Sequence, residues 1–145
     1  MILELTNASE MLVVALCLLG ECEGEPYTGK ALVSETILNR AKQSNQSLKA
    51  VCLAPKQYSC FNTETQQKKL IGRTAEWSTI NSPAWKDCIE IAKEVCREGH
   101  RTTTPATHYY APARLDKPPM WASKMRLVAV VGNHEFYEEI HHEKD

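Results

Sequence analysis

Three glutamates that follow an apolar run are the residues in this sequence best suited to chemistry. Glu21, Glu23 and Glu25 fall within five positions, directly after the run from Met11 to Leu19. A glutamate at the end of a buried helix is partly desolvated, and desolvation raises the pKa of a carboxyl. A raised pKa suits a general acid, such as the group that protonates a leaving oxygen in glycoside cleavage. Glu21 is therefore a candidate acid, although contact with a neighbouring helix or arginine would explain it equally well.

A second set of residues has the types that bind sugars. Aromatic faces can stack on sugar rings, and hydroxyl and amide groups can hydrogen-bond to sugar hydroxyls and acetamides. Ordinary packing is the alternative, and for Trp121 and Phe136 it is the better one. For Tyr58 and Tyr109, which lie in predicted loops, a functional role gains weight. The full set is Gln57, Tyr58, Ser59, His108, Tyr109, Tyr110, Trp121, His134, Phe136 and Tyr137.

A metal site and a cysteine nucleophile are less well supported. The sequence has no HExxH motif and no close Cys/His spacing, so neither a metal nor another cofactor is expected. Cys22 could act as a nucleophile with His108 or His134 as its base, but the neighbouring carboxylates should raise the pKa of its thiol rather than lower it. The histidines that could serve as metal ligands are His100, His108, His134, His141 and His142.

Length and composition indicate one soluble domain. The chain has 145 residues, 43% of them hydrophobic and 24% charged, and a formal net charge of -1. That balance gives no reason to expect nucleic acid or a membrane surface as a partner. The N-terminus has no basic segment of the signal-peptide kind, and its apolar run is shorter than the roughly 20 residues of a membrane span. A cytosolic origin favours reduced thiols over disulfides for the six cysteines.

The hydrophobic pattern predicts a mainly α fold with long loops, at most a small sheet, and helices around a central buried helix. The clearest helix covers 82–98, with Ser82 as its N-cap and Gly99 just past its end. A break is expected at Gly72, and no single regular element is expected over 101–119. The other predicted helices cover 10–19, 28–42, 47–54 and the first half of 64–77.

Four segments, in order, resemble one known family. GECEGEPYTGKALVSETILNR, from Gly20, is similar to the opening motif of the SleB/CwlJ-type cell-wall hydrolase family, in which Gly-Glu-Ala-Arg-Gly-Glu-Pro joins two helices. This chain departs from that motif with Cys22 and Glu23 in place of Ala and Arg. The later matches are QYSCFN from Gln57, THYYAP with the following Pro-Pro-Met-Trp, and GNHEFYE from Gly132. They span about 19–137, so one catalytic domain over 1–145 is expected.

The resemblance implies a lysozyme-like, mainly α (α+β) fold that acts on peptidoglycan. Family members cleave the glycan between N-acetylmuramic acid and N-acetylglucosamine, commonly as lytic transglycosylases. Glu21 takes the place of the family's catalytic glutamate, which acts as general acid and base. The resemblance, together with the sugar-binding types, predicts substrate contacts at Glu25, Tyr27, Gln57, Tyr58, Ser59, His108 and Tyr109.

A short chain with no signal and no wall-binding repeat suits a phage-type endolysin. Such a protein is made in the host cytoplasm and reaches the cell wall through a separate pore. We expect a monomer whose partner is bacterial peptidoglycan, without nucleic acid and without stable membrane insertion. Two alternatives remain open: a zinc-dependent peptidoglycan amidase and a non-catalytic glycan-binding module.

Overall fold

A computed structural model describes residues 5, 8–54 and 57–140. Among the helices of these residues, none has the length and apolar character needed to cross a membrane. Three short 3₁₀ turns, Ser59–Phe61, Pro112–Arg114 and Met120–Lys124, connect the longer elements. The helices are α1 (Glu10–Cys22), α2 (Tyr27–Ser44), α3 (Leu48–Leu53), α4 (Glu64–Arg73), α5 (Trp77–Ile80) and α6 (Pro83–Val95), and the strands are β1 (His108–Tyr110), β2 (Met125–Val131) and β3 (His134–Glu139).

Helix α1 is the centre of the fold, as its sequence predicts. Ser9 caps it, because the Ser9 hydroxyl accepts a hydrogen bond from the backbone N–H of Leu12 at 3.2 Å. Every residue from Val13 to Leu19 is at most 1% exposed. Contacts with α2, α3, α4 and α6 surround the helix and account for this burial on all sides.

The end of α1 differs from the sequence prediction. The helix continues past Leu19, through Gly20, to Cys22, so Glu21 lies in its last turn rather than after it. The reason is tertiary: the turn Ser59–Phe61 packs against this part of α1. A Cβ atom on Gly20 would lie 2.5 Å from the Cβ of Cys60, so only glycine permits this approach. Gly20 therefore serves close packing and not helix termination.

Helix α2 holds the loop that leads into β1. The buried Glu35 carboxylate accepts hydrogen bonds from the backbone N–H groups of Thr103 and Thr104 at 2.7 and 2.9 Å. The Asn39 amide donates to the carbonyls of Thr104 and Ala106, both at 2.8 Å. These bonds satisfy backbone groups of residues 103–106, which belong to no helix or strand, and they therefore fix the position at which β1 begins.

The strands form one antiparallel sheet in the order β1-β3-β2. In the β1–β3 register, Tyr109 lies opposite Phe136. Phe136 is fully buried and joins the core cluster, and the Tyr109 ring packs 5.8 Å from it. Gly132, at φ +58°, makes the tight turn between β2 and β3. The prediction of a mainly α, lysozyme-like fold with a small sheet is confirmed.

Two other predicted helix boundaries are wrong. Helix α6 ends at Val95 and not at residue 98, because the backbone tightens: the N–H of Arg97 bonds to the carbonyl of Glu94. Helix α4 runs through Gly72 to Arg73 without a break at the glycine. The low helix propensity of one glycine costs only about 1 kcal/mol, which the rest of the helix can offset. The predicted metal-binding candidates His141 and His142 lie outside the described residues.

Substitution of Gly20 tests the close approach of the Ser59–Phe61 turn. Gly20→Ala should lower the free energy of unfolding by about 1–3 kcal/mol, because its Cβ would overlap the Cys60 side chain. Gly72→Ala is the matched control: nothing lies within 4 Å of its added Cβ, so it should stabilise α4 by about 1 kcal/mol. Urea denaturation of both variants checks this, and equal effects would contradict the proposed packing role of Gly20.

Candidate active site

Glu21 sits at the boundary between core and solvent. Its side chain is half-buried in the last turn of α1, and the Cys60 thiol lies 3.9 Å from its Oε1. Burial raises the pKa of Glu21, and this outweighs the opposing effects of the Ser59 backbone, the Cys60 thiol and the positive charge of Arg114. A carboxyl with a raised pKa holds its proton at higher pH, which is the property of a general acid.

Glu21 opens into a cavity of about 270 Å³, which we call the Glu21 cavity. Its lining comes from four parts of the chain: the end of α1 and the turn after it, the end of α4, the turn after β1, and the β2–β3 hairpin. A cavity assembled from such distant segments exists only in the folded chain. The lining residues are 19–25, Arg73, Ala111, Arg114, Asn133 and His134.

Two arginines line the Glu21 cavity that the sequence pattern did not predict as site residues. Arg73, at the end of α4, forms an ion pair with Glu23 at 2.5 Å. Arg114, in the turn after β1, places its charge near both Glu21 and Glu25. This chain has Glu23 where the family motif has Arg, but Arg73 and Arg114 still bring guanidinium groups to the cavity. No local pattern around Arg73 or Arg114 could have signalled this, because the pairing joins residues far apart in sequence.

Glu25 joins the turn after α1 to the β2–β3 hairpin. It is buried, and its two carboxylate oxygens accept hydrogen bonds from the backbone N–H and the side-chain amide of Asn133, at 2.8 and 2.9 Å. A Cβ on Gly132 would lie 2.6 Å from Oε1 of Glu25, so the hairpin needs glycine there for this contact. Both carboxylate oxygens of Glu25 are therefore bonded to Asn133, and the described contacts of Glu25 are those of a positioning residue.

His134 and Tyr109 stand beside the two glutamates. Nδ1 of His134 lies 3.3 Å from Oε1 of Glu25 but makes no hydrogen bond among the described residues. Burial lowers the pKa of His134, so its ring is neutral near pH 7. The Tyr109 ring packs on His134 at 5.0 Å, and burial followed by the negative charge of Glu21 raises the pKa of Tyr109. The tyrosine therefore stays protonated close to the acid.

The other predicted substrate-binding residues are distributed over several places. Ser59 is exposed, and its backbone interacts with Glu21. Tyr58 is 4% exposed and packs in the core behind the site. Gln57 and His108 line a different cavity, and the exposed Tyr27, the first residue of α2, lines a third cavity between α2 and α6. The structure therefore groups Glu21, Glu25, Ser59 and Tyr109, and separates Gln57, His108 and Tyr27 from them.

The alternative chemistries find little support in the described residues. No group of three or more His, Cys, Asp or Glu side chains in the described chain is arranged to hold a metal ion. Cys22 is 3% exposed, and burial raises the pKa of its thiol, which is the opposite of what a nucleophile needs. All six cysteines are free thiols.

The half-buried Glu21 thus lies in a cleft between the helical core and the small sheet. The family model for cell wall hydrolases matches residues 24–137, most of the chain. This chain therefore belongs to the cell wall hydrolase family. The matched region begins three residues after Glu21 and includes Glu25, Tyr109, Arg114 and His134.

Two solved structures are similar to this one over most of its length. The catalytic domain of the germination-specific lytic transglycosylase SleB from Bacillus anthracis is 21% identical, with a TM-score of 0.60, covering 91% of this chain and 98% of that chain. The catalytic domain of the Bacillus cereus SleB protein is 22% identical, with a TM-score of 0.59, covering 89% of each chain. At this identity the likeness establishes the fold. No curated protein sequence matches the chain.

The contact between Glu25 and the hairpin predicts a pH-dependent stability. Burial alone would raise the pKa of Glu25, but the bonds from Asn133, together with His134 and Arg114, bring it below the ordinary value of 4.5. A carboxyl whose pKa is depressed by folding stabilises the fold above its unfolded pKa, and this stability is lost as the pH falls through the folded pKa. Glu25→Gln should therefore cost about 1.5–3 kcal/mol at pH 7, and less below pH ~4.

Urea denaturation of wild type and Glu25→Gln between pH 3 and pH 7 measures this effect. Glu98→Gln, at an exposed position just after α6, removes a charge of the same kind and should leave the free energy of unfolding unchanged throughout. A cost for Glu25→Gln that stays constant over the whole pH range would contradict the role assigned to the ionised carboxylate.

Proposed function

We propose that this protein degrades bacterial peptidoglycan by cleaving the β-1,4 bond between N-acetylmuramic acid and N-acetylglucosamine. The observation that carries the proposal is the half-buried Glu21, whose pKa is raised by burial and which faces a cavity large enough to admit part of a glycan. Membership of the cell wall hydrolase family and the likeness to the catalytic domain of a lytic transglycosylase support the same substrate class.

In the first step, protonated Glu21 donates its proton to the bridging oxygen as the bond from that oxygen to the anomeric carbon breaks. The electron pair of this bond stays with the oxygen, which leaves as a sugar hydroxyl. Positive charge then develops on the sugar ring at the anomeric carbon. The newly formed Glu21 carboxylate lies on the side where that charge appears, and it stabilises the charge electrostatically.

In the second step, Glu21 acts as the base. The 6-hydroxyl of the muramoyl residue attacks the anomeric carbon and gives its proton to the Glu21 carboxylate, so the product is a 1,6-anhydro end and the acid is regenerated. This route needs one carboxylate. The other two glutamates in the Glu21 cavity are already engaged, Glu23 with Arg73 and Glu25 with Asn133. Their engagement favours the one-glutamate route over hydrolysis with a second carboxylate as base.

The remaining groups in and beside the cavity are suited to positioning and to charge balance. His134 lines the cavity, and its buried Nδ1 faces Oε1 of Glu25 at 3.3 Å, so the ring is suited to positioning Glu25. Tyr109 lies outside the lining of the cavity, stays protonated near the charge of Glu21 and packs on the His134 ring at 5.0 Å, so it is suited to positioning His134. Arg73 offsets the charge of Glu23, and Arg114 places its charge near Glu21 and Glu25, so the two guanidinium groups offset the negative charge of the carboxylates in the cavity.

Replacement of the acid is the direct test of the mechanism. Glu21→Gln keeps the size of the side chain but removes its proton donor, so lytic activity on purified sacculi should fall by a factor of about 10³ or more, while the variant folds normally. Glu98→Gln, at an exposed position just after α6, is the matched control and should keep wild-type activity. Turbidity loss and circular dichroism measure both, and wild-type activity in Glu21→Gln would disprove the assignment.

The soluble fragments released from peptidoglycan separate the possible reactions. Mass spectrometry should find 1,6-anhydro-muramic ends. Reducing muramic ends would mean that water attacks, as in a muramidase. Free stem peptides with intact glycan would indicate the amidase alternative, and bound sacculi without soluble fragments would indicate a glycan-binding module.

We further propose that the protein works as a monomeric, phage-type endolysin that passes from the host cytoplasm to the wall through a separate pore. Expression of the chain alone in a bacterium should leave the cells intact, and lysis should follow within minutes when the inner membrane is permeabilised with chloroform. Cells that express Glu21→Gln are the control and should not lyse after chloroform. Lysis without permeabilisation would contradict the need for a pore.

A further inference from the structure

A second cavity lies where the C-terminal part of α2 meets α3 and the start of β1, and we call it the Arg40 cavity. Its volume is about 430 Å³, against about 270 Å³ for the Glu21 cavity. Apolar groups of Val51 and Ala54 contribute to its wall. The polar groups of the lining belong to Arg40, Gln43, Ser44, Gln46, Gln57 and His108. Amide, guanidinium and methyl groups together suit a peptide that carries carboxylates and small apolar side chains.

Arg40 supplies positive charge to this cavity. Its Nε donates a hydrogen bond to the backbone carbonyl of Thr107 at 2.5 Å, which fixes the guanidinium and uses one of its several donors. The ion pairs formed by the described residues do not include Arg40. Burial, and then the charge of Arg40, lower the pKa of His108, so the neighbouring ring is neutral near pH 7. An oriented guanidinium without a carboxylate partner is the usual recognition group for an external carboxylate.

Two chain segments connect the Arg40 cavity with the Glu21 cavity. His108 lines the first, and Ala111, three residues further along the same extended segment, lines the second. At roughly 3.3 Å per residue of extended chain, the Cα atoms of His108 and Ala111 are about 10 Å apart. Likewise, Gln57 lines the Arg40 cavity, and Cys60, three residues later, contacts Glu21. This spacing allows one substrate molecule to occupy both cavities.

We propose that the Arg40 cavity is a substrate-specificity site that binds a carboxylate borne by a muramoyl residue or its stem peptide. This inference rests on the proposed function, since it assigns the cavity to the same substrate that Glu21 cleaves. The cavity takes no part in bond cleavage. It binds the substrate equally in the ground state and the transition state, so its loss changes KM and leaves kcat unaltered.

A negative charge on the cavity wall tests the proposal better than removal of Arg40, whose Nε supports Thr107. Gln43 is exposed in the wall, so Gln43→Glu should fold normally. On soluble glycan fragments its KM should rise about fivefold, with kcat unchanged, because the new carboxylate repels that of the substrate. Asn81→Asp adds the same charge on the exposed loop before α6, outside both cavities, and should leave KM unchanged.

The substrate is changed in parallel with the protein. Fragments whose carboxylates have been converted to methylamides should show a higher KM with the wild type, and Gln43→Glu should then have the same KM as the wild type. Removal of the stem peptides frees lactyl carboxylates, which in native fragments are bound as amides to the stem, and leaves no stem-peptide carboxylate. A persistent effect of Gln43→Glu on these fragments shows that the site accepts a lactyl carboxylate, and its disappearance assigns the site to carboxylates of the stem peptide alone.

The outcomes that overturn the inference are separate from those that overturn the proposed function. An unchanged KM for Gln43→Glu on native fragments, or an equal rise on native and blocked fragments, would disprove carboxylate binding in the Arg40 cavity while cleavage continues. Failure of the wild type to cleave any fragment, or full activity of Glu21→Gln, would disprove the proposed function and this inference with it.

Discussion

The hydrogen bonds between Glu25 and Asn133 join two parts of the chain that are 108 residues apart. One part is the turn that follows the buried helix α1, and the other is the hairpin between β2 and β3. Without this connection the β2–β3 hairpin would not be held against the turn after α1, and the Glu21 cavity would lack one of its walls. Glycine at position 132 makes the contact possible, because any side chain there would occupy the space of the carboxylate. The geometry of the site therefore depends on one buried ionised group and one missing side chain.

The three neighbouring glutamates have different roles because their surroundings differ. Burial dominates at Glu21 and favours its protonated form. At Glu25 burial acts in the same direction, but the hydrogen bonds from Asn133 together with His134 and Arg114 outweigh it, lower the pKa and favour the ionised form. Glu23 has an arginine partner from α4. Pairs of carboxyls whose pKa values are displaced in opposite directions are a recurrent feature of acid-base sites, and here the displacement separates a candidate acid from a positioning group.

Close packing between α1 and the Ser59–Phe61 turn is the second constraint on the acid. The turn brings the Cys60 thiol and the Ser59 backbone to Glu21, and it can do so because Gly20 has no side chain. The same turn follows Gln57, which lines the Arg40 cavity. The segment 57–60 thus connects the surroundings of Glu21 with the proposed carboxylate site in the Arg40 cavity. Strand β1 makes a second connection, because His108 lines the Arg40 cavity and Ala111, just after the strand, lines the Glu21 cavity.

The sequence by itself determined the mainly α architecture, the central helix α1 and the identity of Glu21 as the acid to examine, because hydrophobic period, capping residues and a local acidic cluster are written in consecutive residues. Motifs such as GNHEFYE pointed to the family. Tertiary structure alone decided that Glu25 bonds to Asn133, that Arg73 and Arg114 share the cavity with Glu21, and that Gln57 and His108 line another. These facts depend on contacts between residues distant in sequence, and the burial and pKa of a side chain follow from such contacts and not from its neighbours in the chain.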